Sequence, residues 1–444
     1  ATTKVGNVYG IRRKVNNNTS TIWERLEDGI NKVANATKNG EPVQNDFDNL
    51  YPWSEIISYN YDVETKKINA YYGDPTFKFD GTNGEVLTRI PEFYGKREVK
   101  AGYEYIYIAD YAKAGFNKSE QFSIGRYDAS IDEDGKLHSF SGHSPATNKN
   151  ITQFREAAKL LSNEFSQLDY RYFLLQMLYL VEYANNNSQS TLGNGIVSMR
   201  RSTSDTALIT GNSTNTIVIP TNSYFFVGQQ VDICSSLDNR SIAKDRTITQ
   251  IEEYSKDTTE GTAITFDGEP INIAVGNIIQ SCPQKEGHCD ELGMKSGCLE
   301  NDSKHGVIYR GIENIFGNLY NWVDGINIKD CQAYICYNPE EYVSDVFEAP
   351  YEKLGYVNLK TTDTYVKTTG FDEKHPMVAL PIEGGAGSSS GYCDYYYCSE
   401  TGNRVARVGG YFSSGAVAGL WYWYCISSAA SSYLNCGARL LKNQ

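Results

Sequence analysis

The segment that most constrains the fold lies near the C-terminal end of the chain. Between residues 405 and 441 the only charged side chains are those of Arg407 and Arg439. Within it, Gly419-Leu420-Trp421-Tyr422-Trp423 is an apolar, aromatic run that predicts a β-strand. A stretch with so little charge is typical of a buried β core rich in glycine and aromatic residues.

Serine-rich stretches flank this predicted strand. Ser413-Ser414 precedes it, and the run Ser-Ser-Ala-Ala-Ser-Ser at 427–432 follows it. Both are poor core sequences and predict loops, and loops on a rigid scaffold are where binding residues concentrate. The chain contains 34 Tyr and 39 Gly, which suits recognition loops and equally a tyrosine-rich core.

Composition and charge exclude several classes of protein. With 41 Lys+Arg against 54 Asp+Glu the formal net charge is −13, which argues against nucleic acid as a main partner. No apolar run approaches the roughly 18 residues that a membrane-spanning helix needs. The longest candidate, 172–184, is interrupted by Gln176 and Glu182. The first residues, Ala-Thr-Thr-Lys-Val, show no apolar signal-peptide core, so none is expected.

The pattern of apolar and polar residues along the chain predicts helices in two regions and strands in several short runs. A helix entry at 21–24 leads into a weakly amphipathic run to about residue 36. Residues 151–184 predict two helices packed on a sheet, with Asn150 or Thr152 as the first N-cap. Short runs of β-branched and aromatic residues predict strands at 56–63, 67–72, 103–108, 122–127, 216–220, 226–234, 246–251 and 263–266. The last four indicate a small all-β barrel or sandwich inserted between parts of one domain.

The cysteines do not follow a metal-binding pattern. None belongs to a C-x-x-C pair, and the stretch containing Cys282, His288, Cys289 and Cys298 has irregular spacing, so no metal site is expected. Local disulfides and buried thiols both remain open. The ten are Cys234, Cys282, Cys289, Cys298, Cys331, Cys336, Cys393, Cys398, Cys425 and Cys436.

The C-terminal segment resembles the variable region of proteins diversified by diversity-generating retroelements. The shared pattern is a Gly-Gly start at 409–410, a Gly-Leu-aromatic framework strand at 418–423, a variable loop at 427–435 and a Gly-Ala-Arg-Leu-Leu end at 437–441. Such retroelements mutate adenines, mainly in Asn codons, and the reachable codons do not encode Lys, Glu, Gln, Met or Trp. The middle stretch lacks the first four, and its Trp residues fall in the framework strand.

A second resemblance covers roughly 90–200 and 290–444. These segments are similar to the C-type lectin fold in its formylglycine-generating-enzyme-like form. The landmarks are the strand at 122–127, the two helices, the segment 311–324 with Asn321-Trp322-Val323-Asp324, and Gly437-Ala438-Arg439-Leu440. Residues 1–90, including 47–53, resemble the leading segment of gut phage tail proteins.

Together the resemblances imply an α+β fold with four parts. They are an N-terminal tail-associated segment at 1–90, a first part of the C-type-lectin-like domain at 91–197, a small all-β insertion at 198–290, and a second part at 291–444. The implied class is that of gut phage tail receptor-binding proteins and the phage major tropism determinant. Such a protein would lie on the virion, or alternatively on a bacterial cell surface or in secreted form.

The resemblance also implies the function and the site. The protein would be no enzyme and would need no cofactor. It would bind a bacterial surface receptor, protein or glycan, and would attach to other virion tail proteins; a homotrimer is one stoichiometry open to it. The expected ligand-binding residues lie in a variable region at about 411–436: Tyr411, Phe412, Ser413, Ser414, Ala416, Val417, Tyr424, Cys425, Ile426, Ser427, Ser428, Tyr433, Leu434, Asn435 and Cys436. The expected scaffold residues are Gly409, Gly410, Trp421, Trp423 and Arg439.

Four alternatives stand beside this hypothesis, and two of them lack the motifs that they require. Formylglycine-generating chemistry uses a copper-binding cysteine pair, and Ser414 and Gly419 occupy the corresponding positions here. Calcium-dependent lectins use Glu-Pro-Asn or Gln-Pro-Asp loops, which do not occur, and a Trp-Asn-Asp strand, which Trp322-Val323-Asp324 only approaches. Carbohydrate binding without calcium and a fixed structural role in a tail stay open.

Overall fold

The computed structural model describes residues 6–15, 17, 19–358, 361–398 and 401–443. Residues 1–5, where the sequence predicts no signal peptide, lie outside the described residues. The strands of the first part of the chain are β1 (Val8–Lys14), β2 (Glu24–Glu27), β3 (Ile57–Asp62), β4 (Lys67–Tyr71), β5 (Glu85–Ile90), β6 (Phe93–Lys100), β7 (Tyr103–Ala109), β8 (Asn117–Ser119), β9 (Phe122–Gly125), β10 (Ser130–Ile131) and β11 (Leu137–His138).

The helical region follows these strands. It consists of α1 (Ile151–Leu161), β12 (Phe165–Gln167), α2 (Arg171–Tyr183) and α3 (Ser188–Leu192). The two predicted helices are confirmed by α1 and α2. Asn150 is the N-cap of α1 and forms a reciprocal capping box with Gln153, which satisfies two backbone N–H groups that the first turn leaves unpaired.

The helix predicted at 21–36 is wrong. Residues 24–27 form β2, and the chain then turns through Glu27 and Asn31, both with positive φ. The Trp23 backbone N–H donates to Ala184 O at 2.8 Å, at the end of α2. Because Asn and Gly favour turns over helix interiors, the weak amphipathic pattern in this run could not sustain a helix.

The predicted β insertion consists of β13 (Gly211–Thr214), β14 (Thr216–Ile219), β15 (Gln230–Cys234), β16 (Ala243–Lys256), β17 (Thr259–Phe266), β18 (Ile271–Ile273) and β19 (Ile278–Ser281). The strand predictions in this segment are confirmed by β14 to β17. Five of its strands form a sheet in the order β14-β17-β16-β15-β19. A hydrophobic cluster made only of residues from this segment, including Ile217, Val231 and Ile264, lies inside it.

The remaining strands are β20 (Ile308–Tyr309), β21 (Ile312–Glu313), β22 (Tyr320–Lys329), β23 (Gln332–Ile335), β24 (Glu352–Lys353), β25 (Thr361–Thr369), β26 (Pro381–Gly384), β27 (Tyr395–Cys398), β28 (Asn403–Gly409), β29 (Gly419–Ser427), β30 (Cys436–Gly437) and β31 (Leu440–Lys442). Eight of them form one sheet in the order β24-β23-β22-β28-β29-β27-β25-β26, with β30 added beside β22. The predicted strand at 419–423 is confirmed as the first part of β29. The Gly/Ser-rich loop at 384–391 joins β26 to β27.

Two further sheets contain the N-terminal strands. One has the order β2-β1-β7-β6-β8, and the other has the order β12-β31-β9-β5-β3-β4. Strands from residues 1–90 are therefore hydrogen-bonded to strands from the middle and from the C-terminal end of the chain. The predicted boundary at residue 90 does not coincide with a sheet boundary.

The predicted α+β, C-type-lectin-like fold is wrong. The structure is mostly β-sheet, with 38% strand and 10% helix, several sheets and a curled half-barrel. The helical pattern is confined to 151–192, whereas most other segments are short β-branched and aromatic runs that pair as strands. The landmark motifs of the C-type-lectin resemblance, although they occur in the expected order along the chain, did not determine the fold class.

Helix α2 lies at the centre of the main hydrophobic core and supports β29. The Gln176 side-chain amide donates to Leu420 O at 2.6 Å, and Tyr172 Oη donates to the same carbonyl at 3.1 Å. Glu182 is buried and accepts from both Arg310 Nε and Nη2. Gln176 and Glu182 therefore have structural partners within the core. Among the helices of the described residues, none combines the length and apolar character that crossing a bilayer requires.

Candidate functional site

Strand β29 carries two kinds of aromatic side chain on its two faces. Trp421 and Trp423 point to the inner face and are 2% and 0% exposed. The Trp423 ring stacks on Phe173 of α2 with centroids 5.0 Å apart, and the Trp421 ring packs edge-on against Tyr179 at 5.7 Å. This inner face forms part of the main core, as expected for framework residues.

The outer face of the same strand is a layer of tyrosines. Tyr422 and Tyr424 alternate with the tryptophans because successive strand side chains point to opposite faces. Tyr320 on β22 contacts both, with ring centroids 5.3 Å and 5.6 Å away. On the other side, Tyr397 of β27 lies 5.1 Å from Tyr424, and Tyr395 lies 6.3 Å from Tyr422.

The layer continues beyond these strands. Tyr365 of β25 packs edge-on against Tyr395 with centroids 4.5 Å apart. Tyr411 lies 5.5 Å from Tyr320, and Tyr433 lies 6.3 Å from Trp322. We call the set Tyr320, Tyr365, Tyr395, Tyr397, Tyr411, Tyr422, Tyr424 and Tyr433 the tyrosine face. Apart from Tyr320 and Tyr422, which are buried, its members are half-buried.

Arg407 of β28 lies within this face. Its guanidinium carbon is 4.2 Å from the ring centroid of Tyr424, 4.4 Å from that of Tyr320 and 4.4 Å from that of Tyr433. The side chain is 5% exposed, and Nε and Nη1 have no hydrogen-bond partner in the described part of the chain. Among the described residues no carboxylate pairs with it, so the aromatic rings are its main electrostatic support.

The arginine and the rings influence one another's titration. Burial raises the pKa of Tyr424, and the charge of Arg407 partly opposes this rise. Burial alone would raise the pKa of Tyr433, but nearby polar groups and the charge of Arg407 lower it below its usual value.

The first flanking loop, residues 410–418, is folded tightly against the body. Gly409 and Gly410 have φ of 101° and 80°, and a Cβ on Gly410 would lie 2.7 Å from the Ala418 methyl. Both positions therefore favour glycine. The Tyr411 N–H donates to Ser414 Oγ at 2.9 Å, which closes the turn before the 3-10 helix Gly415–Val417.

The second flanking loop, residues 428–435, is held at a few points. The Ser431 N–H donates to Ser428 O at 3.0 Å, and the Asn148 N–H donates to Tyr433 O at 2.9 Å. The Tyr320 N–H donates to Asn435 O at 3.0 Å, which attaches the end of the loop to β22. Between these points Ser428, Ala430 and Ser432 are exposed.

The predicted ligand-binding residues divide by burial into three groups. The exposed ones are Ser413, Ala416 and Ser428. The half-buried ones are Tyr411, Ser414, Val417, Tyr424, Ile426, Tyr433, Leu434 and Asn435. The buried ones are Phe412, Cys425, Ser427 and Cys436, and these present almost no surface to a ligand.

Arg439 connects the C-terminal segment to the rest of the core. It is 2% exposed, and its Nη2 donates to the Asp128 carboxylate at 2.7 Å and to Glu313 O at 2.7 Å. Its Nη1 donates to Gly125 O and Arg126 O at 3.1 Å and 3.0 Å. The Arg439 guanidinium therefore links the C-terminal segment to residues 125–128 and to Glu313.

Sequence reasoning missed five of the eight tyrosines of the tyrosine face. Tyr320, Tyr365, Tyr395, Tyr397 and Tyr422 were not among the expected ligand-binding residues, and Arg407 was noted only for its charge. The available signal was the spacing of two residues within Tyr395-Tyr396-Tyr397 and within Tyr422–Tyr424, which places tyrosines on one face of a strand.

The cysteines offer no activated nucleophile in this region. All ten are buried. In the parallel pair β27–β29, Cys398 lies opposite Cys425, and Cys398 Sγ is 3.1 Å from Cys331 Sγ. Burial raises the pKa of Cys398 to about 12 and that of Cys425 well above its usual value, so both stay protonated near neutral pH.

Within the part of the chain that the structure describes, two groups of side chains have the composition of metal ligands. One is Asp232, Asp245 and Cys282, but Arg240 already binds both carboxylates there. The other is His288, Glu300 and His305. Asp324, in the segment nearest to a calcium-lectin motif, is bound by Arg155 through Nε and Nη2 at 2.7 Å and 2.8 Å.

A separate cleft of about 440 Å³ lies away from the tyrosine face. Tyr170, Arg171, Tyr337, Lys118 and Lys374 are among its lining residues. Its two tyrosine rings pack edge-on at 4.7 Å. This cleft offers an alternative location for a small ligand.

The chain matches no protein-family model, and it is similar to no curated protein. Inference about function therefore depends on the site itself.

Proposed function

We propose that the protein binds a receptor through the tyrosine face and its two flanking loops. The observation that carries the proposal is the continuous layer of half-buried tyrosines around Arg407. Tyrosine supplies a large, rigid contact area with a hydrogen-bonding hydroxyl, and it loses little conformational entropy on binding. Serines in the adjoining loops add adaptable hydrogen bonds.

The alternation of β29 supports this proposal. The tryptophans of its inner face pack on α2, whereas the tyrosines of its outer face pack mainly on one another. Substitution of the half-buried Tyr424 should therefore disturb the core less than substitution of Trp421 or Trp423. A surface of this kind tolerates sequence change, which is what a diversified binding region requires.

We further propose that a diversity-generating retroelement varies residues 411–436, and that the protein belongs to a phage tail that recognises a bacterial surface. The pattern of the C-terminal sequence supports the first part. The wide tyrosine face supports a macromolecular receptor, because tyrosine and arginine anchors dominate such interfaces. Binding needs no catalytic group.

The binding surface is tested on the full chain with fluorescently labelled protein and bacterial isolates. The variants Tyr397→Ala and Tyr433→Ala should weaken cell binding by roughly tenfold or more if these rings are anchors. The matched control is Tyr105→Ala, since Tyr105 is half-buried in a comparable tyrosine row on β7, with Tyr107 at 6.1 Å.

Equal loss of binding in Tyr105→Ala and the two face variants would contradict the proposal. So would full binding by both face variants. Treating the cells with protease or with periodate separates a protein receptor from a carbohydrate. Loss after periodate alone would favour the carbohydrate-binding alternative at the same surface.

Diversification is tested separately by sequencing the 3′ end of the gene across the source population. Variation should concentrate at exposed and half-buried positions such as Ser413, Ala416, Ser428 and Tyr433. Buried Phe412 should vary little, because its side chain packs with Ile196 and Met199 in a small cluster. An invariant 3′ end would leave a fixed binder or a structural tail component.

A further inference from the structure

Two histidines that are distant in the sequence meet beside the β13–β19 segment. The rings of His288 and His305 are nearly stacked, with centroids 4.4 Å apart and planes 28° from parallel. One ligand atom from each histidine and one from Glu300 all lie within 4.8 Å of one another. Two imidazoles and a carboxylate are a common ligand set for zinc and related ions.

His288 has an unsatisfied nitrogen. Its Nε2 is buried and has no hydrogen-bond partner in the described part of the chain. Its backbone is held in place, since the N–H groups of Gly287 and His288 donate to Glu313 Oε1 at 2.9 Å and 3.0 Å.

His305 is oriented by carboxylates. Its Nδ1 lies 2.8 Å from Glu300 Oε2 and 2.9 Å from Asp302 Oδ2. The other oxygen of Asp302 accepts from the N–H groups of Lys304 and His305, which fixes the turn that carries the ring. A carboxylate on one ring nitrogen is how metal sites set the histidine tautomer and direct the other nitrogen to the ion.

We propose that His288, His305 and Glu300 bind one divalent transition-metal ion of the zinc class, with Asp302 positioning His305. Tetrahedral coordination at about 2.0–2.1 Å from each nitrogen requires the two nitrogens to be about 3.3 Å apart. The exposed Glu300 side chain, 55% accessible, leaves a path for the ion and a position for water.

An ordinary ion pair explains only part of this arrangement. A charged His305 between two carboxylates would account for those contacts, but it leaves the buried Nε2 of His288 without a partner. In the second candidate group, by contrast, Arg240 supplies the positive charge, with Nε 2.5 Å from Asp232 and Nη2 2.7 Å from Asp245. That group is complete without a metal.

The position of the site gives the ion a structural role. Phe226, between β14 and β15, packs on the His305 ring with centroids 4.9 Å apart, and Lys304 Nζ lies 5.8 Å from the Phe226 ring. Phe226 also packs against the cluster that contains Phe412 of the first flanking loop. A bound ion would fasten the 300–305 loop near the base of the proposed binding surface.

The test is zinc titration of the full, chelator-treated chain by calorimetry, with Co²⁺ absorption as a report on ligand geometry. We expect one Zn²⁺ per chain and a tetrahedral cobalt spectrum. Glu300→Gln and His288→Gln should each weaken zinc binding by roughly tenfold or more. The control His143→Gln changes an exposed histidine elsewhere and should leave the affinity unchanged.

Absence of zinc binding at micromolar concentrations in the native chain would overturn the proposal. Unchanged affinity in both ligand variants would overturn it as well, and a loss in Asp245→Asn instead would assign the metal to the other group. Glu300 is exposed, so its variant should keep the fold, which circular dichroism checks. The cell-binding assay reports on the receptor independently of this result.

Discussion

The two faces of β29 should differ sharply in what they contribute to stability. Trp423→Ala and Tyr424→Ala change adjacent residues of similar size on opposite faces of one strand. Trp423 is fully buried and stacks on Phe173, whereas Tyr424 is half-buried among other tyrosines and Arg407. The pair therefore separates a core contribution from a surface contribution at nearly the same position.

The expected magnitudes follow from the contacts. Removing a buried Trp side chain leaves a cavity and costs about 3–5 kcal/mol. Tyr424 loses one cation–π contact at 4.2 Å and ring contacts with Tyr397 and Tyr320, each worth about 0.5–1.5 kcal/mol. Arg407 keeps the rings of Tyr320, Tyr433 and Trp322, which offsets part of that loss. The net cost of Tyr424→Ala should be about 1–2 kcal/mol.

The assay is urea denaturation of the full chain, followed by tryptophan fluorescence and by circular dichroism. If Tyr424→Ala costs as much free energy of unfolding as Trp423→Ala, the tyrosine face is a second core and the binding surface is assigned wrongly. If both cost less than about 1 kcal/mol, packing of the inner face on α2 does not stabilise the sheet. Only a clear gap between the two agrees with the reasoning.

Three further outcomes are expected. Arg439→Met should cost about 3–5 kcal/mol in urea denaturation because it leaves the buried Asp128 carboxylate unpaired, and a cost below about 1 kcal/mol would remove Arg439 from the scaffold. Gly410→Ala should lower stability by at least about 1 kcal/mol, since φ is 80° and a neighbouring methyl is too close; an unchanged transition midpoint would contradict this. Burial would lower the pKa of His138, but its contacts with Glu85 and a second carboxylate raise it above 6.5. The stability that this group contributes is therefore fully present below pH 6.5 and is lost as pH rises through the pKa of the folded state. The variant His138→Gln should lose this part of the pH dependence of the free energy of unfolding. The same pH dependence in the variant and in the native chain would refute the prediction.

Secondary structure could be predicted from the sequence where the pattern that determines it lies within one short segment. The helices α1 and α2 and the strand at 419–423 are such cases, because periodicity and capping act within a few residues. The helix expected at 21–36 does not form, because the local signal for it is weak. Its amphipathic pattern was weak, and turn-forming Asn and Gly outweighed it.

The sheet order could not be predicted from the sequence. For that reason five of the eight tyrosines of the tyrosine face were not predicted either. Tyr320, Tyr395 and Tyr424 belong to three segments that meet only because β22, β28, β29 and β27 are neighbours. The β27–β29 pair is parallel, and such a pair requires a long connection whose path leaves no local signature. The α+β expectation failed because motif order does not specify strand pairing.

The arrangement of β29 explains how one short strand can combine stability with variability. Its inward side chains are large, buried and supported by α2, so they fix the strand. On its outward face, Tyr424 contacts Arg407 together with Tyr320 of β22 and Tyr433 of the second flanking loop, so the cation keeps more than one aromatic partner when any single ring is lost. Because the cation is shared, loss of one tyrosine removes only part of its support. Shared contacts of this kind make the stability of the tyrosine face less dependent on any one residue. A binding surface needs this property if its sequence is to change while its scaffold persists.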